Sequence, residues 1–362
     1  MFHLRQFSCK TKIISGSGAV GALEGLGAQR VFLVCDPYFA QNGTAARVAS
    51  ATRAPYTEIF SDVKPDPTVE LAARATAKAK AFRPDLFVAL GGGSAMDLCK
   101  AVAYFCQNGA PLAMIPTTSG SGSEVTDFAI LTHDGVKHPL VDPSLRPDIA
   151  ILDADLLSSM PPSLIADAGF DVLSHALEAL AAVNATAFSD ALAVHAFQTV
   201  FHLLPRSFRG EQDVRLAIHE AAAMAGLAFT HAGLGVCHAL SHSLGGAFHV
   251  PHGRLNAILL PAVIRFNIPA HPKYAALARS CGIGGSSDTM ALRGLCQGLT
   301  ALRKELKLPA TLRAAGIDPQ ALSREQTPIL HAALQDPCCG TSPVKPEFHS
   351  LQAILREVTG HG

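Results

Sequence analysis

The sequence predicts two domains of different class, an N-terminal α/β domain on a parallel sheet (residues 1–162) and an all-α C-terminal domain (residues 163–362). Three observations carry this expectation. A chain of 362 residues is too long for one ordinary core. Its N-terminal part alternates short β-rich runs with Ala-rich helical stretches, which implies a parallel sheet covered on both faces. From about Ser163 onward, long helical patterns such as SDALAVHAFQTVFHLL and DVRLAIHEAAAMAGLAF dominate and strand signals nearly vanish. The change of character falls near Pro161-Pro162.

The elements follow in order. RVFLVCD (Arg30 to Asp36) reads as a buried strand ending in a polar turn, and DLFVALGGGS (Asp85 to Ser94) as a strand running into a glycine loop. AMDLCKAVAYFC then places Ala95, Leu98, Val102 and Phe105 at helical spacing. PLAMIPTTSGSGSE is a second strand leading into a Gly/Ser/Thr loop, and DIAILDADLL is a further strand. No internal repeat or low-complexity tract interrupts the pattern.

Composition narrows the function classes. Lys plus Arg balance Asp plus Glu at 29 each, so no nucleic-acid or acidic-membrane partner is expected. Apolar content is 49%, yet no run of eighteen apolar residues occurs, which argues against a transmembrane helix. MFHLRQFSCKTKI at the N-terminus has no apolar core and no small-residue cleavage site, which argues against secretion. The nine cysteines are Cys9, Cys35, Cys99, Cys106, Cys237, Cys281, Cys296, Cys338 and Cys339. An odd number with no C-x-x-C reads as free thiols in a reducing cytoplasm.

Gly91-Gly92-Gly93-Ser94, between strand and helix, is where an α/β sheet binds phosphate. Glycine lets the backbone approach an anion, and the helix N-terminus offers N–H donors. The run is not G-x-G-x-x-G, and a plain tight turn would look the same. Pro116 to Glu124 adds five hydroxyls and two glycines after a second strand, which a polar surface loop would also do. Two such loops at strand ends of one sheet converge on one ligand, favouring a dinucleotide. Asp36 is placed to accept hydrogen bonds from an adenosine ribose and to repel a 2′-phosphate, favouring NAD over NADP; otherwise it is a turn aspartate.

The helical half carries a second constellation. Asp171 and His175 lie four apart in GFDVLSHALEAL, on one face of a helix. His238 precedes His242 by four in GLGVCHALSHSLGG, and His252 follows in FHVPHGRLNAILLP. One carboxylate and three imidazoles suit a divalent transition metal such as Fe(II) or Zn(II). Singly, each is equally well a buried polar pair, a satisfied core histidine or a loop histidine. Sixteen histidines weaken any argument from spacing alone. His195, His202 and His219 are read as ordinary.

Taken together, the motifs resemble the iron-containing (group III) alcohol dehydrogenase family. GGGSAMDLCKA resembles its GGGSxxDxxKA loop, and PTTSGSGSEVT its PTTxGTGSEVT. GFDVLSHALEA and GLGVCHALSH…PHGRLNA are similar to GxDALTHAIEA and GLGxxHxxAH…PHGxxNA. The likeness runs from about Thr11 to the C-terminus. Within the family, DPT after a KP pair, GSAMD and KYAALARSCG resemble the 1-propanol dehydrogenases associated with bacterial microcompartments.

The resemblance implies an N-terminal dinucleotide-binding domain, a helical domain and an active site between them, the dehydroquinate synthase-like fold. It assigns metal to Asp171, His175, His238 and His252, and proton relay beside the nicotinamide to His242. It places Asp36, Gly92, Gly93, Ser94, Thr117, Thr118 and Lys137 at cofactor positions. It implies NAD, Fe(II) with Zn(II) as the alternative, and interconversion of short primary alcohols and aldehydes such as 1-propanol and propanal. A homodimer in the cytoplasm, associated with an aldehyde dehydrogenase or a microcompartment shell, completes it. Alternatives are a glycerol-, diol- or dehydroquinate-processing relative, or a non-enzymatic metal-bearing microcompartment protein. Two departures stand out. Ser121 replaces the usual Thr of GTGSE, and Ser342-Pro343-Val344 stands where the family often has Asn-Pro-Arg.

Overall fold

The computed structural model describes residues 6–133 and 136–360. They form two compact units: Ser8–Met160 with Arg215–Gly226, and Pro161–Val214 with the described residues from Leu227 onward and residues 6–7.

The first unit holds every strand among the described residues: β1 (Lys12–Gly16), β2 (Arg30–Cys35), β3 (Tyr56–Phe60), β4 (Leu86–Gly91), β5 (Leu112–Pro116), β6 (Phe128–His133), β7 (Val136–Val141) and β8 (Ile149–Asp153). Six of them form a parallel sheet in the order β1-β8-β5-β4-β2-β3. Its helices are α1 (Pro37–Gln41), α2 (Thr44–Ala51), α3 (Val69–Phe82) and α4 (Gly93–Cys106). The inner strands are apolar on both faces because both faces are covered. Phe32, Val34, Phe87, Ala89 and Met114 pack with residues of α3 and α4 such as Ala75 and Leu98. The alternate residues Val31, Leu33, Val88, Leu90 and Ile115 pack on the other side with Leu23, Phe39 and Val48. The hairpin of β6 and β7 is separate and antiparallel.

This strand order has a reversal. From β2 the chain steps outward to β3, then returns to the other side of β2 as β4 and continues to β5. The crevice beyond the carboxyl ends of β2 and β4 is the switch point at which open α/β sheets bind ligands. Asp36 and Gly91–Gly93 stand there.

The second unit is helical: α5 (Pro162–Ala181), α6 (Ala187–Phe208), α8 (Val236–Phe248), α9 (His252–Phe266), α10 (His271–Ser280), α11 (Asp288–Glu305), α12 (Pro319–Gln335) and α13 (Phe348–Thr359). Helix α7 (Arg215–Ala232) contributes its stretch to Gly226 to the first unit and the remainder to the second. Proline at the first position of α5 fits an N-terminus, whose early N–H groups have no helical partner. From Val172 to Ala181 every residue of α5 is buried, which marks it as the core helix of this unit. Helices α6 and α9 pack on it. At Gly253 a Cβ would lie 1.9 Å from the Asp167 carbonyl oxygen, so only glycine lets α9 begin this close to α5. No single helix among the described residues is long and apolar enough to cross a membrane.

Candidate active site

In the helical unit, three helices aim polar groups at one point. Asp171, His175 and Glu178 occupy one face of α5, since steps of four and three residues keep side chains aligned. His238 and His242 lie a turn apart on α8, and His252 opens α9. The Oδ1 atom of Asp171 is 3.5 Å from His252 Nε2, 3.7 Å from His238 Nε2 and 3.8 Å from His175 Nε2. Ligand atoms of Asp171, His238 and His252 all lie within 4.8 Å of one another. The His175 ring joins by stacking on His238, with centroids 4.6 Å apart.

These gaps are too long for hydrogen bonds. Tetrahedral ligands about 2.1 Å from a metal sit about 3.4 Å apart, so the spacing suits an enclosed cation. His238 Nε2 is buried and has no hydrogen-bond partner among the described residues, although Asp171 faces it. An orphaned buried nitrogen is costly unless something fills the space it faces. The charges agree. Burial pushes His238 down, yet the carboxylates of Asp171 and Glu178 lift it to about 9, so the site favours a positive charge. Burial would raise Asp171, but the surrounding imidazoles hold it well below the usual carboxylate range. The donor set fits a borderline-hard divalent ion.

Two residues that spacing did not single out complete this arrangement. Glu178, 2% exposed, accepts hydrogen bonds from His238 Nδ1 (2.6 Å) and from the backbone N–H groups of Cys237 (2.7 Å), Gly235 (3.0 Å) and His238 (3.3 Å). A carboxylate only accepts, so Nδ1 keeps its proton, and in the neutral ring it is the Nε2 lone pair that faces Asp171. The same carboxylate satisfies N–H groups at the start of α8. Asn256, one turn into α9 from His252, donates to Asp171 Oδ1 at 2.9 Å and accepts from the Ser241 hydroxyl. The sequence signals were faint: Glu178 continues the Asp171–His175 face, and Asn256 follows His252 by four.

His242 is set apart from the cluster. Its Nδ1 donates to Asp336 Oδ2 at 2.8 Å, and its ring stacks on His252 at 5.0 Å. The other Asp336 oxygen accepts from the Cys338 N–H at 2.8 Å. Burial opposes ionisation of Asp336, but the His242 contact outweighs it and holds the carboxyl at about 2. With Nδ1 anchored, Nε2 is the free end of the imidazole. In the departing Ser342-Pro343-Val344 segment, the Ser342 hydroxyl is buried with no hydrogen-bond partner among the described residues.

The α/β unit holds the cofactor candidates. Gly92 caps α4, and Gly93 and Ser94 form its first turn. Gly91 has φ +157°, and a Cβ there would lie 2.5 Å from Asp36 Oδ2, so glycine makes room for this carboxylate. Burial pushes Asp36 up, opposed by a hydrogen bond from the Gly92 backbone. A Cβ on Gly93 would sit 3.2 Å from Ser121, and one on Gly92 3.4 Å from Thr118 Oγ1, so the two loops abut. The Thr117 N–H donates to the Gly91 carbonyl at 3.0 Å.

Half-buried Asp97 and fully buried Lys100 on α4 tie the loops further. The Ser123 hydroxyl donates to Asp97 at 2.6 Å. Lys100 Nζ donates to the Thr126 carbonyl, the Thr126 hydroxyl and the Phe128 carbonyl, each at 3.0 Å. Lys137 lies on β7, where its Nζ pairs with Asp66 at 2.7 Å.

A nucleotide crevice on a parallel sheet, with a carboxylate and three imidazoles gathered for a divalent ion in the helical unit, defines a metal-dependent, NAD-linked oxidoreductase. Comparison with known proteins agrees over nearly the whole chain. Residues 10–154 match the model of iron-containing alcohol dehydrogenases, and residues 165–359 that of the C-terminal domain of the same family. The 1-propanol dehydrogenase PduQ of Citrobacter freundii is 38% identical, covering 98% of this chain and 100% of its own. An iron-containing alcohol dehydrogenase structure from Thermococcus thioreducens superposes with a TM-score of 0.90 at 31% identity, over 98% of this chain and 99% of that one. Sulfoacetaldehyde reductase from Bifidobacterium kashiwanohense, solved with NAD+, gives 0.90 at 26% identity with full coverage of both chains (100%). The chain belongs to the iron-containing alcohol dehydrogenase family, with a metal-dependent, NAD-linked alcohol dehydrogenase activity.

Proposed function

We propose that this enzyme interconverts short primary alcohols and aldehydes, with propanal and 1-propanol as the representative pair, and works chiefly in the reducing direction. The observation that carries the reading is the convergence of three imidazole nitrogens on one Asp171 oxygen. The substrate class is supported by the 38% identity to a 1-propanol dehydrogenase over the full length of both chains.

Asp171, His175, His238 and His252 would hold the ion, Fe(II) or alternatively Zn(II). Asp36, Gly92, Gly93, Ser94, Thr117 and Thr118 would hold NAD, and Lys137 belongs to the same proposal through the family resemblance. When bound, the cation supplies Lewis acidity toward the substrate oxygen and the nicotinamide supplies or accepts the hydride. The chain's own residues do the rest. Glu178 keeps the His238 lone pair directed at the site, and Asn256 fixes Asp171. His242, anchored by Asp336, gives a proton to the nascent alcohol during reduction and takes it back during oxidation. The net reaction is aldehyde, NADH and a proton giving alcohol and NAD+.

The same reading extends to a homodimer in the cytoplasm, working beside an aldehyde dehydrogenase or within a microcompartment shell. Reconstitution with Fe(II) or Zn(II), followed by a panel of C2–C4 aldehydes, lactaldehyde and glycerol with NADH, tests the substrate. Propanal should head the panel in kcat/KM. A polyol in that place would overturn the reading in favour of a diol dehydrogenase.

Two further results are expected. Glu178→Gln removes the charge behind His238 and sets an amide NH2 against at least one N–H donor. Changes behind a metal-binding histidine typically weaken metal affinity about 10- to 100-fold. Competition with a chelator of known affinity measures it, and an unchanged Kd would show that Glu178 only caps α8. Asp36→Gly removes the carboxylate expected to meet the ribose hydroxyls. The ratio of NADPH to NADH efficiency should rise roughly 10- to 100-fold, the value of a charged hydrogen bond lost to NADH. A ratio equal to the parent's would mean that Asp36 does not choose the cofactor.

A further inference from the structure

The first half of α7 belongs to the α/β unit, and its polar contacts concentrate on one loop. His219 is fully buried at 0% exposure. Its Nδ1 lies 2.9 Å from the hydroxyl of Ser119, in the middle of the PTTSGSGSE loop, and the Pro116 carbonyl is a second polar neighbour. His219 Nε2 has no hydrogen-bond partner among the described residues. Burial holds the ring neutral, lowering it to about 4. Gly226, farther along α7, lies under the same loop: a Cβ there would come within 2.7 Å of Val125 and 3.0 Å of Gly122. Arg215 donates to the Leu157 carbonyl, and Glu220 accepts from Ser15 at 2.6 Å, which fixes the helix to the unit.

An imidazole with one nitrogen orphaned is a poor choice for packing alone. Leucine or methionine would fill a similar volume with no polar atom to satisfy. The return on that cost is a fixed Ser119 hydroxyl. Ser119 adjoins Thr118, whose side chain lies against Gly92 at the start of α4. Whatever sets Ser119 therefore sets the face that the second loop turns to the glycine loop.

We infer that His219 is a positioning residue for NAD: through Ser119 it holds the Thr117–Glu124 loop in the conformation that receives the cofactor, without touching the cofactor itself. The inference rests on the NAD reading above. It assigns a role in binding to a residue far in sequence from either loop.

The test uses the full-length, metal-loaded protein and direct titration with NADH. The chain has no tryptophan, so nucleotide fluorescence is read without an indole background. His219→Leu should raise the NADH Kd about 3- to 10-fold, the range of one net hydrogen bond. Metal content should stay at the parent value, and the thermal midpoint should hold or rise. His219→Asn, whose amide occupies the place of Nδ1, should restore the Kd to within about twofold. Should the leucine variant fold poorly, Ser119→Ala breaks the same contact from the other side and should weaken NADH to a similar degree. The double variant should be no weaker than the weaker single one, since both remove one interaction. NADH binding at the parent Kd in His219→Leu, or additive losses in the double variant, would overturn the inference. A parent chain that fails to bind NADH would instead overturn the cofactor reading, and this inference with it.

Discussion

His252→Ala is expected to purify folded, to bind NADH and to carry almost no metal. The residue is the first of α9, and its side chain keeps 30% of its exposure, so truncation leaves little cavity. Removing one donor leaves two imidazoles and one carboxylate and opens the site to water. His238→Ala should lose the metal as fully but at greater cost to the fold. Its ring is 1% exposed, and Glu178 would lose its 2.6 Å partner while keeping three backbone donors. Breaking a buried charged contact on one side leaves the other group uncompensated, typically costing about 1–3 kcal/mol or more. Elemental analysis decides the ligand assignment: near-stoichiometric metal in both variants would sink it. The thermal midpoints separate the two, with His238→Ala the lower. NADH titration confirms that the α/β unit has kept its structure.

Turnover should fall about 10²- to 10⁴-fold in His242→Ala while the metal stays, the usual worth of positioned acid–base assistance. The reason is geometric. Asp336 takes up Nδ1, and stacking on His252 fixes the ring plane, so Nε2 is held in one direction. Alanine removes both the proton carrier and the cover over His252. Metal analysis beside kcat separates three roles. Metal lost together with activity would make His242 a ligand. Metal retained with turnover and pH profile like the parent's would make it packing. Metal retained, with slow turnover and an altered pH profile, is the expected result.

The inner strands were legible because burial on both faces writes them as unbroken apolar runs. RVFLVC, LFVALG, LAMIP and IAILD are β2, β4, β5 and β8. The edge strands KIISG and YTEIF are half exposed and mix polar with apolar residues, so no run announces them. The β6–β7 hairpin was equally silent, with Pro139 inside its second strand. Asp171–His175 and His238–His242 could be read because helical spacing is local. The partners of these residues could not. Glu178 meets His238 from 60 positions away, and Asp336 meets His242 from 94 positions away. Pairing across such distances leaves no periodic trace. His219 shows the same limit. It reads as one more histidine on an Ala-rich helix until the fold sets Ser119 beside it.

The α5 glutamate that receives the first N–H groups of α8 has a consequence for metal economy. Glu178, Asn256 and Asp336 hold His238, Asp171 and His242 through hydrogen bonds between protein groups, so these contacts need no ion. A protein that folds only around its metal can reject the wrong one by staying unfolded. Side chains held by protein groups alone supply no such veto. Three imidazoles and a carboxylate bind copper and zinc more tightly than ferrous iron by the general order of divalent affinities. The ion held by the proposed ligands is therefore expected to follow supply, and elemental analysis of protein from iron- and zinc-supplemented cultures checks it.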